Sequence, residues 1–217
     1  MSFKRNQDIV NDYYKKELKE KTNLYGSELS QTERFRNALG YFNTFNREVF
    51  ELGSGKGDFL SYLFSKPKYL PYYFFGLDIM PEMTKIAKKN WPGGNACFKT
   101  GDFLGMSIDP FDLGFAFSVF DRKFGSQEDT KEYAFRCLEK MYELCNEGVY
   151  MTFLSAYKKI NDIGEALFYP DEVLKECHRY SERVVIDHSF MPHAFAVILY
   201  KKKSVWLLDY EKSINKL

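Results

Sequence analysis

Val49-Phe50-Glu51-Leu52-Gly53-Ser54-Gly55-Lys56-Gly57-Asp58 is the stretch that decides the fold of this chain. Residues 48–52 form a short apolar run of strand type. Gly53, Gly55 and Gly57 follow at once. Glycine lets a backbone turn sharply and lets a ligand come close to the main chain. Residues 58–65 then carry Phe59, Leu60, Leu63 and Phe64 on one helical face. A strand, a glycine turn and a helix N-terminus with free N–H groups together suit a nucleotide-like ligand.

The same alternation continues downstream. Strand-type runs fall at 72–77, 96–100, 113–118 and 149–154, and helical patterns at 81–90, 128–146 and 170–180. Pro81 stands where a missing N–H costs nothing, and Gly148 stands where the helix at 128–146 is expected to stop. Two further strands, 183–189 and 194–200, meet at a tight Met191-Pro192-His193 connection and predict a hairpin. Repeated strand–helix units predict a parallel sheet with helices on both faces. The hairpin adds one antiparallel strand at or near an edge. The expected fold is therefore α/β and doubly wound, with a mostly parallel seven-stranded sheet and a C-terminal antiparallel hairpin strand.

Upstream, residues 6–45 are helical in pattern, with Ile9, Val10, Tyr13, Tyr14 and Leu18 at helical spacing. After a break at Tyr25-Gly26-Ser27, Ser30 is the expected N-cap, with Glu33 closing a capping box. Phe35, Leu39 and Phe42 share a face of that helix. The expected organisation is an N-terminal helical cap (1–46), a ligand-binding α/β domain (47–203) and a tail (204–217). The tail ends in an apolar patch at Val205-Trp206-Leu207-Leu208, suited to docking on the domain or to subunit contact.

The chain has 217 residues, enough for one domain with a small appendage and a full core. Its hydrophobic fraction of 45% and charged fraction of 28% are those of a globular protein. A net charge of +1 offers no field for a nucleic-acid backbone. The run Lys201-Lys202-Lys203 is expected to be a solvated strand end. Sixteen Tyr and 21 Phe are expected mainly to pack the core. Cys97, Cys137, Cys145 and Cys177 form no Cys-x-x-Cys pair and have no His at metal-finger spacing, so no metal is expected. They look like reduced, buried thiols. No apolar run reaches the roughly 18 residues that span a bilayer, and the N-terminus lacks a signal core. The expectation is a cytoplasmic protein without a membrane or nucleic-acid partner, as a monomer or homodimer.

Four details narrow the ligand. A dinucleotide site wants G-x-G-x-x-G, and here the sixth position is Asp58. The G-x-x-x-x-G-K-[ST] phosphate loop is absent. Glu51 ends its strand just before the first glycine, where it would repel a pyrophosphate but suits a cationic ligand. Asp78, in Gly76-Leu77-Asp78-Ile79, ends the next strand 21 residues past Gly57, the spacing at which a carboxylate accepts ribose hydroxyls.

Over about residues 48–200, these features resemble the class I S-adenosylmethionine-dependent methyltransferases, in the branch that acts on small molecules. The resemblance implies a Rossmann-like fold, S-adenosylmethionine as cofactor and S-adenosylhomocysteine as product. Glu51-Leu52-Gly53-Ser54-Gly55-Lys56-Gly57 looks like the family's first motif, which implies that Gly53, Ser54, Gly55, Gly57 and nearby groups hold the methionyl end. Asp78, with Ile79 beside it, looks like the ribose-binding acid. Gly101-Asp102-Phe103 looks like the adenine loop, with Asp102 accepting from the exocyclic amine and Phe103 nearby. Ser118-Val119-Phe120 sits where the family's fourth strand ends beside the cofactor. Arg34 resembles a residue of the N-terminal cap and would pair with the cofactor carboxylate.

Ligands of open parallel sheets bind beyond the carboxyl ends of the strands. If strand 183–189 is parallel to the others, its turn lies on that face and brings His188 and His193 near the acceptor, whereas His178 is a surface residue. A hydroxyl acceptor must lose a proton, and His193 is the candidate base, with His188 as the fallback. Phe120, Asp121, Arg122 and Tyr157 are candidate acceptor contacts. Tyr157 and Tyr169 flank a lid at 158–167, and Tyr13 and Tyr14 would close the site from the cap. The expected activity is O-methylation of a small polar metabolite or nucleotide-linked sugar. N-methylation, or a non-catalytic cofactor-binding subunit, are the alternatives.

Overall fold

The computed structural model describes residues 27–160 and 162–201. Tyr13, Tyr14 and the Trp206 patch lie outside the described residues. Helix α1 (Glu28–Tyr41) leads into β1 (Glu48–Leu52), α2 (Asp58–Phe64), β2 (Tyr73–Asp78), α3 (Pro81–Asn90) and β3 (Ala96–Thr100). There follow β4 (Phe111–Ala116), α4 (Gln127–Leu144), β5 (Cys145–Leu154), α5 (Pro170–Cys177), β6 (Val184–Met191) and β7 (Ala194–Tyr200). The strands form one seven-stranded sheet in the order β3-β2-β1-β4-β5-β7-β6. All neighbours from β3 to β5 are parallel, and β7 is antiparallel to both β5 and β6. The expected architecture, including the hairpin, is the observed one.

Strand periodicity splits the core into two layers. Phe50 and Leu52 face α4 and α5, packing with Ala134, Leu138, Met141 and Val173. Val49 faces the other way, toward Phe35 and Leu39 of α1 and Phe59, Leu60 and Leu63 of α2. Phe35 meets Phe59 at 5.1 Å and Phe117 at 4.9 Å between ring centroids, so α1 is part of the helical layer. Asp187 ties α1 to the hairpin by accepting from Asn37 Nδ2 at 2.8 Å and Tyr41 OH at 2.9 Å. The aromatic residues mostly pack, as expected: Phe50, Phe59, Phe74, Phe103, Phe115, Phe120 and Phe153 are all fully buried. Cys137, Cys145 and Cys177 are buried free thiols, and Cys97 is partly buried. Among the described residues, no helix is long and apolar enough to cross a membrane.

Four local expectations need correction. The cap of α1 is Ser27, whose hydroxyl accepts from Ser30 N, so the helix begins about a turn before Ser30. Ser30 instead sits inside the first turn and takes a hydrogen bond from Arg34. Strand β4 ends at Ala116, not Ser118, because Ser118 turns to φ +57° and donates its N–H to Thr152 Oγ1 at 2.9 Å. Helix α5 stops at Cys177, short of Tyr180. Gly148 stops no helix: α4 passes straight into β5 at Cys145, and Gly148 pairs with Tyr200 inside the sheet. A side chain there would lie 2.5 Å from Leu199 O and 2.5 Å from the Phe42 ring. Glycine is required by close packing, a reason invisible in the local pattern.

Gly148→Ala should therefore destabilise the protein by about 3 kcal/mol, the upper part of the range for overpacking a tight core site. Urea unfolding of the two proteins checks this; equal midpoints and slopes would show that Phe42 and β7 yield without cost.

Candidate functional site

Parallel pairing of β1 with β2 and β4 brings three chain segments to one edge of the sheet. Glu51 lies opposite Gly76 on one side and Phe115 on the other. Just beyond, the loop 53–57 turns on Gly53, Gly55 and Gly57, all at positive φ. Gly53 has a further constraint, since a Cβ there would meet Val119 Cγ2 at 2.5 Å. The loop from β4 therefore packs directly on the glycine turn. Gly57, at φ +84°, leads into α2.

A narrow cleft opens above this turn. It is lined by Glu51, Gly53, Ser54, Gly55 and Asp58 on one side and by Gln31, Phe35, Phe59 and Phe117 on the other. Two polar atoms in its wall are buried without a hydrogen-bond partner, Glu51 Oε2 and Ser54 Oγ. Burial, with the charges of Asp58 and Asp78, pushes the Glu51 carboxyl well above its usual range. Buried polar groups are nearly always satisfied, so an orphaned carboxylate oxygen in a cleft points to a cationic or hydrogen-bond-donating ligand. Sequence reasoning misses Gln31, Phe35 and Phe117 as lining. The one signal in the sequence is the placement of Gln31 and Phe35 four residues apart on one helical face.

Asp78 sits at the end of β2, as expected, but it is already engaged. Its Oδ2 accepts from Gly55 N and its Oδ1 from Met80 N, each at 2.8 Å. Burial raises its pKa, while the N–H groups of Met80, Gly55 and Ile79 pull it down. A carboxylate has about four acceptor sites, so this one keeps room for a further donor. Asp102 caps a short 3₁₀ turn, Phe103–Gly105, and takes hydrogen bonds from Leu104 N at 3.2 Å and Tyr133 OH at 2.7 Å. The Phe103 ring is fully buried against Phe50, 5.2 Å between centroids.

A second group of polar residues gathers where β4, β5 and β7 meet α1. Arg34 is 4% exposed, donates to Ser30 O and Ser30 Oγ, and leaves its Nε buried without a partner. Asp121 is half-buried, and burial raises its carboxyl while Arg34 and a hydrogen bond from Ser118 oppose the rise. His193 is half-buried in the hairpin turn, with its carbonyl accepting from Ser155 N at 2.9 Å. Burial, then the positive charges of Arg34 and Lys158, push its imidazole below the usual 6.5, against Glu165. Because β6 runs parallel to β5, this turn lies at the carboxyl ends of the parallel strands.

The remaining candidates each have surroundings of their own. His188 does not join His193: it faces the α5 side of the sheet, its ring 5.9 Å from that of Phe195 and its Nε2 buried without a partner. Phe120 is 1% exposed, with its ring 6.3 Å from Phe153 in the core. Tyr157 is exposed and packs edge-on against Tyr169. Arg122 pairs with Asp162 at 2.9 Å. The expected lid is held to the β4 loop by Lys123 N to Gly164 O at 2.9 Å and Ala166 N to Asp121 O at 3.0 Å. His178 is exposed, its Nδ1 3.2 Å from Ser181 O.

No family model matches this chain, and no curated protein matches it. Solved structures do. Magnesium protoporphyrin IX methyltransferase from Synechocystis, with S-adenosylhomocysteine bound, aligns with a TM-score of 0.65 at 11% identity, over 90% of this chain and 100% of that one. A TehB-like methyltransferase from Corynebacterium glutamicum aligns at 0.56 and 13%, over 90% and 98%. Human N-acetylserotonin methyltransferase, in complex with S-adenosylmethionine, aligns at 0.59 and 16%, over 78% and 52%. The chain has the fold of the S-adenosylmethionine-dependent methyltransferases.

Glu51 makes a prediction about stability. Its folded pKa lies above the unfolded value, so the native state binds more protons and loses stability as pH rises through that interval. Glu51→Gln should raise the thermal midpoint at pH 8, and the gain should shrink toward pH 5. Thermal melts of both proteins at the two pH values test it; a Gln variant less stable at pH 8 would mean that the carboxylate has a partner.

Proposed function

We propose that this chain is an S-adenosylmethionine-dependent methyltransferase acting on a small molecule. One observation carries the reading: Glu51 Oε2 and Ser54 Oγ are buried and unpartnered in a cleft walled by the glycine turn. The methionyl ammonium is a donor that both atoms fit, and its charge would allow Glu51 to ionise. A pyrophosphate would meet Glu51, Asp58 and Asp78 together, all acidic. On this reading Asp78 accepts from ribose hydroxyls through its remaining lone pairs, and Asp102 accepts from adenine. Val119, Ser118 and Ile79 border the cofactor, and the buried Nε of Arg34 takes the cofactor carboxylate.

When bound, S-adenosylmethionine supplies an electrophilic methyl carbon on a sulfonium. The chain's own contribution is alignment, exclusion of water and removal of a proton. His193 suits the removal of a proton, since its depressed pKa leaves the imidazole neutral at pH 7 and able to accept one from a hydroxyl. Asp121 borders the same region and would orient a polar acceptor. The fold-neighbours named for a porphyrin and for acetylserotonin support a small-molecule acceptor. The reading is O-methylation of a small polar acceptor. An amine acceptor would need no base.

Calorimetry with S-adenosylhomocysteine tests the cofactor. Binding is expected, and Glu51→Gln should weaken it by about 10- to 100-fold, the loss of a charged hydrogen bond. Binding of NAD in its place would overturn the proposal. For the chemistry, release of S-adenosylhomocysteine is followed with a panel of small hydroxyl and amine acceptors. With a hydroxyl acceptor, His193→Ala should slow turnover by about 10²–10⁴-fold at pH 7. The wild type should also lose rate only below the ordinary histidine range. An amine acceptor turned over equally by both proteins would favour N-methylation.

A further inference from the structure

Tyr133 lies on α4, outside every motif that the sequence singles out, yet its hydroxyl ends 2.7 Å from Asp102 Oδ1. That is the distance of a charge-assisted O–H···O⁻ bond. Leu104 N reaches the same oxygen at a longer 3.2 Å. Both donors therefore converge on Oδ1, and Oδ2 accepts from no described residue. The terminal torsion of an aspartate is broad and roughly two-fold, so a carboxylate at a loop tip does not choose its own orientation. Here the tyrosine chooses it.

The tyrosine is itself held. Its ring stands edge-on to Phe124 at 5.1 Å and to Phe120 at 6.0 Å. Burial, with Cys137 and Asp102 nearby, drives the phenol pKa far up, so the hydroxyl is a permanent donor. The backbone of the loop is fixed separately. Lys140, about two turns further along α4, donates to Phe103 O and Met106 O at 2.6 Å each. Its ammonium also lies 4.8 Å from the Phe103 ring centroid. Lys140 thus sets where the loop is, and Tyr133 sets which carboxylate oxygen is engaged and which is left to accept from a ligand.

We propose that Tyr133 is a positioning residue for base recognition: by pinning Asp102 Oδ1 it presents Oδ2 to the exocyclic amine of adenine and gives the site its preference for an adenosyl ligand. This rests on the cofactor reading above. A fixed carboxylate oxygen accepts from the adenine amine and repels the carbonyl that hypoxanthine carries at the same place. A loosened one does both less well.

The test is calorimetry with S-adenosylhomocysteine and S-inosylhomocysteine, whose bases differ at position 6, amine against carbonyl, and in the proton that hypoxanthine carries on the adjacent N1. Wild type should prefer the adenosyl ligand. Tyr133→Phe should lose about tenfold in affinity for it, with the inosyl affinity nearly unchanged, so that the preference collapses. In an Asp102→Asn background, adding Tyr133→Phe should change little, because the charged acceptor is already gone. Equal losses for both ligands, or no loss for either, would overturn the proposal and leave the cofactor assignment standing. Wild type that binds neither ligand would overturn the cofactor assignment and this inference with it. Should Tyr133→Phe not fold, Asp102→Asn decides alone: an undiminished adenosyl preference removes the carboxylate, and hence Tyr133, from base recognition.

Discussion

The Asp78 carboxylate accepts from Gly55 N and from Met80 N, each at 2.8 Å. One side chain therefore joins the glycine turn after β1 to the start of α3. Gly53 N and Ser54 N add to the join by donating to Leu77 O at 2.7 and 3.1 Å. The turn has three residues at positive φ and no internal ladder to define it. Without these bonds the N–H groups of Gly53, Ser54 and Gly55 would have neither fixed direction nor partners. The cleft, the placement of Ser54 and Glu51 in its wall, and the contact of Val119 on Gly53 all follow from the shape so imposed.

The site is asymmetric in charge as a result. Around the glycine turn, Asp58 and Asp78 lie close enough to Glu51 to add to the rise in its pKa. Around the hairpin turn Arg34 and Lys158 face Asp121, Glu165 and His193. An acidic end and a mixed, partly cationic end share one edge of the sheet. That arrangement suits a ligand whose positive groups sit over the glycines and an acceptor handled near His193. The helix α1 closes both ends: Gln31 and Phe35 reach the first, and Arg34 reaches the second.

Helix α4 has a comparable double role. Its buried face packs the sheet through Ala134, Leu138 and Met141. Its partly exposed residues Tyr133 and Lys140 grip the loop that follows β3. Packing and site geometry are thus coupled, because the helix cannot shift on the sheet without moving Asp102.

The sequence by itself determined the architecture. Short apolar runs separated by helical patterns leave a parallel sheet as the arrangement that buries both faces, and the hairpin follows from its tight turn. It also determined which acids stand at strand ends, since Glu51 and Asp78 are fixed by counting along strands. What it did not determine is where side chains meet across the sheet. Gly148 looks like a helix stop until Leu199 O and Phe42 are seen against it. His188 and His193 are five residues apart, yet strand alternation and a bulge after Asp187 send them to different surroundings. Phe103 and Phe120 sit beside the motifs but belong to the core. Gln31, Tyr133 and Lys158 enter the site from elements distant in the chain. Periodicity is a property of neighbours in sequence, whereas a site is assembled by contacts between elements. Only the tertiary structure decides those contacts.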